Sequence, residues 1–276
     1  MQTPKKEANN RGGNLKKKRI KANSKDVFKL LLLLVILTVW SGCAFVVSGV
    51  IISIIMLIIF GGEFYNDNIL SAIYSIIYYG LAAILAILLP ILIEKKWQAR
   101  HNQRAKIEKS EMRTELGLRG LPTWTDIGLA PVGLAVSFLI TAGLTALFSF
   151  FPWFNAEESQ SLIFGFSTNT LEQILTFISL VIVAPVVEEL VFRGWLYGKL
   201  REKSSEKFSE VWSIIISSFL TSLVFGIMHG QWNVGITVFA MSIIMCGLRE
   251  ITGTIYAGIL VHFLKNALAF LLIYIL

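Results

Sequence analysis

The stretch Leu175-Thr-Phe-Ile-Ser-Leu-Val-Ile-Val-Ala-Pro-Val-Val-Glu188-Glu189-Leu-Val-Phe-Arg193 decides the fold, because it reads as a lipid-soluble helix that nevertheless carries two adjacent carboxylates. An ionisable group near the centre of a bilayer costs at least a few kcal/mol, so such groups are paired, solvated or put to use. Similar polar residues interrupt the apolar runs that follow: His229, His262 and Asn266.

Around this stretch the chain is apolar throughout. Its 276 residues are 55% hydrophobic and only 16% charged, with mean hydropathy +0.67. That is too little charge to cover a soluble globule of this size. Uncharged runs long enough to cross a membrane occur at about Leu30 to Phe60, Ile69 to Ile93, Ile127 to Phe151, Leu171 to Phe192, Val211 to Met228, Val234 to Leu248 and Ile251 to Leu276. The expected class is all-α, a polytopic transmembrane helical bundle of about seven spans, within limits of six to eight. Three parts are expected: a basic tail at 1–29, N-terminal transmembrane helices at 30–160 with a basic loop at 94–122, and a helical core at 165–276.

The charge is unevenly placed. Residues 1–29 hold ten Lys/Arg against Glu7 and Asp26, a balance of +8 in a chain whose net charge is +7. A polybasic run directly before a long apolar segment fits anionic lipid head groups and topology. No aromatic or glycine-rich pattern accompanies it, so nucleic acid is not an expected partner. Connections 94–122 and 193–210 and the turn at Arg249 carry Lys and Arg. Connections 61–68, 152–170 and 230–233 carry none, holding Glu63, Asp67, Glu157 and Glu158 instead. By the positive-inside rule the N-terminus is cytoplasmic and the C-terminus outside. The 94–122 loop reads as a solvated linker.

Cys43 and Cys246 both lie in apolar stretches and suggest no disulfide. Ser41-Gly42-Cys43 is a poor lipoprotein cleavage site, since Trp40 precedes it and the apolar run continues to Phe60, so a retained anchor is expected.

Spacing arranges the polar residues. Glu189 and Arg193, four apart, share a helical face and can pair, whereas Glu188 points about 100° away and stays free to take a proton. Pro185 removes a helix hydrogen bond and can open the span to water. Phe225 and His229 share a face, as do His262 and Asn266. Each pattern alone is compatible with an interhelical hydrogen bond. Their succession is more specific.

The order EExxxR, FxxxH, HxxxN, seen as Glu188-Glu189-Arg193, Phe225-His229 and His262-Asn266, resembles the CPBP family of intramembrane proteases. That family includes CAAX prenyl endopeptidases and the bacterial Abi group of bacteriocin-processing and immunity proteins. The resemblance covers about 165–276 and fills every motif position. It implies a hydrolase of the bacterial cell membrane that cuts a membrane-associated protein or peptide. Glu188 with His229 would activate water, Glu188 as general base. Glu189 and Arg193 would hold the geometry, and His262 and Asn266 would donate to the oxyanion. No cofactor is certain. Zinc is one candidate, with Glu188, His229 and His262 as ligands, although the spacing is unlike the HExxH pattern of zinc proteases. Two rival classes remain at this level: a non-catalytic peptide-binding immunity protein, and an ion-coupled transporter relaying protons through the same groups. Substrate and oligomeric state lie beyond the sequence.

Overall fold

The computed structural model describes residues 23–62, 64, 67–101, 113–155 and 169–274. Most of the basic tail, part of the 94–122 loop, and Glu157 and Glu158 lie outside the described residues. Helix makes up 86% of the structure, with no strand among the described residues. Seven of its helices are long and apolar enough to cross a membrane. In chain order they are α1 (Ser24–Phe60), α2 (Asn68–Trp97), α3 (Trp124–Phe148), α4 (Thr170–Ser205), α5 (Glu210–Ile227), α6 (Trp232–Thr252) and α7 (Tyr256–Tyr274).

Their ends follow local chemistry. Asn23 caps α1 in a reciprocal pair with Asp26 at 3.0 and 3.1 Å, so the helix begins before the uncharged run and includes Lys25 and Lys29. Asp67 accepts from the amides of Ile69 and Leu70 to start α2. Thr123 and Asp126 form a second capping box at α3. Asp126 is fully buried and also accepts from Thr254 at 2.7 Å, which ties the start of α3 to the α6–α7 turn. Gly253, at φ +71°, ends α6 in the left-handed conformation that glycine adopts without penalty.

Two expectations about connections change. Arg249 lies in the last turn of α6, which runs to Thr252, rather than in a turn of its own. The end of the 94–122 loop is not a solvated linker: Leu116 is buried and Gly117 accepts from the amide of Ile255 at 3.1 Å. An unpaired backbone carbonyl near the apolar core is costly, and this contact satisfies it.

α1 presents one buried stripe, Leu30, Leu37, Ala44, Ser48, Ile52 and Met56, while most of its other large side chains stay exposed. This is how a helix at the margin of a membrane bundle packs. The core lies among α4 to α7, where Val191, Phe225, Met245, Ala257 and Val261 are almost wholly buried. α4 has 36 residues, about 54 Å at 1.5 Å per residue, well beyond a hydrocarbon core of about 30 Å. It runs thirteen residues past the expected end at Phe192, and Glu188 therefore sits at its midpoint rather than near one end.

Candidate active site

Pro185 and its surroundings distort α4 where the acids begin. Two π-helical stretches, Ile178–Val183 and Leu190–Tyr197, flank the short α-helical segment Ala184–Glu189. In the first of them the amide of Ala184 bonds the carbonyl of Ser179, five residues back. In that register the carbonyl of Leu180 would be served by residue 185. Residue 185 is proline, which has no N–H. The side-chain amide of Asn266 on α7 takes its place, donating to the Leu180 carbonyl at 2.9 Å.

Glu189 is fully buried and locked. Its Oε1 accepts from Arg193 Nη1 at 2.8 Å and lies 3.1 Å from His262 Nδ1. The guanidinium also rests 4.3 Å from the centre of the Phe225 ring, a cation–π contact strengthened by desolvation. Gly258 on α7 makes room for this carboxylate, since a Cβ there would stand 3.1 Å from Glu189 Oε2.

Glu188 faces the other way, as the 100° step requires. Its side chain keeps 17% exposure, and Tyr79 on α2 donates its hydroxyl to Oε1 at 3.1 Å. His262 Nε2 stands 3.9 Å from Oε2. The imidazole of His262 thus bridges the two acids, one nitrogen to each, and no hydrogen bond at 3.9 Å joins it to Glu188.

His229 follows the end of α5, outside the seven spans. Its Nδ1 lies 2.8 Å from the Phe225 carbonyl. A carbonyl only accepts, so Nδ1 carries the proton and Nε2 presents a lone pair. Burial holds this imidazole below its ordinary histidine range, which keeps it neutral near pH 7. Glu188, His229, Tyr78, Tyr79, Phe192 and Phe225 line one cavity of about 230 Å³. Glu188 and His229 meet at this cavity because α4 extends beyond its uncharged run.

Phe225 is the hub that joins these groups. Its ring meets Phe192 and His229 edge-on at 4.8 Å and His262 at 6.0 Å. Behind it, a Cβ on Gly226 would stand only 2.8 Å from the carbonyl oxygen of Gly235 on α6. This close approach of two backbones fixes the turn that carries His229.

Residues 170–268 match the family model of Rce1-like type II CAAX prenyl endopeptidases. No curated protein and no solved structure matches the chain. The Rce1-like region runs from the start of α4 to the middle of α7 and contains all seven motif residues. The match supports a CAAX-type intramembrane protease, a hydrolase, in a chain with seven membrane-spanning candidates.

Within the Rce1-like region the six polar motif residues do not share one environment. Glu188 and His229 face the cavity, while Glu189, Arg193 and His262 form a buried network beside it. Asn266 reaches α4 through the Leu180 carbonyl, so one of its two amide hydrogens is already committed. The sequence reading missed Tyr79, which lies outside the Rce1-like region. Its signal was the polar pair Tyr78-Tyr79 inside an apolar span. Lys265 was missed too: it sits between His262 and Asn266, is mostly withdrawn from solvent, and interacts with the charge of Glu188. Zinc does not fit this arrangement, because no three His, Cys, Asp or Glu side chains among the described residues converge as ligands.

Proposed function

We propose that the chain is an intramembrane endopeptidase that hydrolyses a peptide bond of a membrane-associated protein or peptide by activating water in the Glu188–His229 cavity. The observation that carries this reading is the sharing of one small cavity by a carboxylate and an imidazole lone pair from different helices, beside a neighbouring acid that is neutralised in place. In this mechanism a water donates to Glu188 and to His229 Nε2. Glu188 takes its proton as the hydroxide attacks the scissile carbonyl. Tyr79 orients Glu188 through its hydroxyl. The Nε2 edge of His262, when it bears a proton, and the remaining amide hydrogen of Asn266 donate to the tetrahedral oxyanion. As the C–N bond breaks, Glu188 returns its proton to the leaving nitrogen, and a carboxylic acid and an amine are the products, which ionise to carboxylate and ammonium. Glu189 and Arg193 hold His262 in position.

CAAX-type peptides are the first substrate class to test, and bacteriocin precursors of the bacterial cell membrane the second. We place the N-terminus in the cytoplasm, with the basic tail against anionic lipids. The test is cleavage in detergent of prenylated and unprenylated CAAX peptides and of a bacteriocin precursor, each followed by mass spectrometry. Glu188→Gln and His229→Gln should each lower the rate by about 10²- to 10⁴-fold, the usual range for a general acid–base group. Wild-type cleavage should survive a chelator. Equal rates in wild type and Glu188→Gln would remove the general base from the mechanism, and loss on chelation with rescue by zinc would overturn the metal-free route.

A further inference from the structure

A second cavity, of about 350 Å³, lies at the end of the bundle where α1 begins and α4 and α6 end. Arg119, Lys199, Arg201 and Arg249 line it, together with Trp195 and the exposed or paired acids Glu115, Glu202 and Glu250. Lys199 is paired with Glu94 at 3.2 Å and Arg201 with Glu250 at 3.3 Å, and Tyr197 also donates to Glu250 at 2.8 Å. Arg249 and Arg119 have no carboxylate within 4 Å among the described residues. Arg249 donates only to the carbonyls of Gly194 at 3.3 Å and Glu115 at 3.1 Å, which leaves most of its five N–H groups uncommitted. Its guanidinium stands 5.3 Å from the Tyr197 ring centre, and Arg119 lies close enough to repel it.

The indole of Trp195 adds an independent observation. The residue is only 9% exposed, lines this cavity, and its Nε1–H has no acceptor among the described residues. A buried donor without a partner costs roughly 1–3 kcal/mol unless something accepts from it. Two guanidiniums and an indole N–H, brought together from α6, the loop before α3 and α4, form a set of donors whose only acceptors among the described residues are the two carbonyls that Arg249 reaches.

We infer that this cavity binds a phosphate-bearing anion, taken either from a phospholipid head group or from free phosphate. Donors approaching from three separate elements suit a tetrahedral group with several oxygens better than a planar carboxylate, which one guanidinium satisfies by itself. The walls are amphipathic: Ile91 and Leu116 offer apolar surface beside the cations, as a head group at the membrane boundary requires. The site lies apart from the Glu188–His229 cavity and stands whether or not the chain is a protease.

The test uses the full chain in phosphatidylcholine nanodiscs, with phosphatidylglycerol added in one arm and inorganic phosphate in the other. Binding is followed by native mass spectrometry and by thermal melting. Arg119→Gln removes an exposed guanidinium, and Trp195→Phe removes the N–H while keeping an aromatic ring. Each should weaken binding by about ten-fold, the effect of one hydrogen bond to a charged group. Lys203→Gln, which removes the same charge from a side chain paired with Glu206 outside this cavity, should leave this binding unchanged. Sensitivity in the lipid arm alone identifies a head group, and sensitivity in both arms identifies free phosphate as a ligand. Binding that is the same in wild type and both variants overturns the inference. So does an equal loss in Lys203→Gln, which would make the effect one of general charge.

Discussion

Asn266→Ala separates two roles that the motif alone merges. The side-chain amide of Asn266 donates to the Leu180 carbonyl, which has no donor on its own helix because residue 185 is proline in a π register. Removing the amide leaves a part-buried carbonyl unsatisfied. Such a loss costs roughly 1–3 kcal/mol in general, and interhelical hydrogen bonds in membranes average about 0.6 and reach about 1.7 kcal/mol. About 1 kcal/mol is therefore expected, measured as the shift in unfolding free energy when purified protein in mixed micelles is titrated with a denaturing detergent. The second substitution, Pro185→Ala, is the decisive one. It restores an N–H at the position that faces Leu180 in that register, so the double variant should recover most of the lost stability. If Asn266 also donates to the oxyanion, peptide cleavage should stay low in the double variant although stability returns. A double variant no more stable than Asn266→Ala refutes the account of the Leu180 carbonyl, and one that regains both stability and cleavage refutes the oxyanion role.

Three further outcomes follow from the same geometry. Arg193→Gln should destabilise the chain by about 3–5 kcal/mol in the same assay, because it leaves the fully buried Glu189 without its cation; a cost below about 1 kcal/mol would refute the buried ion pair. Gly226→Ala places a Cβ 2.8 Å from a backbone oxygen of α6, so the α5–α6 turn must move, at a cost of about 1–3 kcal/mol, and cleavage should fall with the displaced His229; an unchanged melting temperature would count against the close approach. Burial depresses the pKa of His229, so its neutral form persists at neutral pH and is lost only as pH falls below the ordinary histidine value. Both stability and cleavage should hold above that value and decline below it, and in His229→Gln the stability contribution of this acid limb should vanish.

The helical class and the number of spans were legible because hydropathy acts along the chain: a bilayer-length apolar run needs no tertiary partner to declare itself. The pairing of Glu189 with Arg193, and the divergence of Glu188 from it, were equally local, since they follow from 3.6 residues per turn. Helix ends were less legible. α4 continues through Arg193, Lys199 and Arg201 to Ser205, and the charges that closed the apparent span sit on the same rod, satisfied by Glu189, Glu94 and Glu250. A hydropathy window reads those charges as a boundary, although paired charges on a helix end nothing.

The sequence by itself determined that this chain is a membrane-spanning helical bundle, which residues are too costly to stand idle in lipid, and which of them share a helical face. Only the tertiary structure decided that Glu188 and His229 open onto one cavity, that Tyr79 from a distant helix holds the carboxylate, that Asn266 answers a carbonyl orphaned by Pro185, and that Trp195, Arg119 and Arg249 meet around a second cavity. The division has one physical cause. Backbone periodicity and transfer from water to lipid act over a few turns of one helix, whereas hydrogen-bond partners about 3 Å apart are chosen by how separate helices pack.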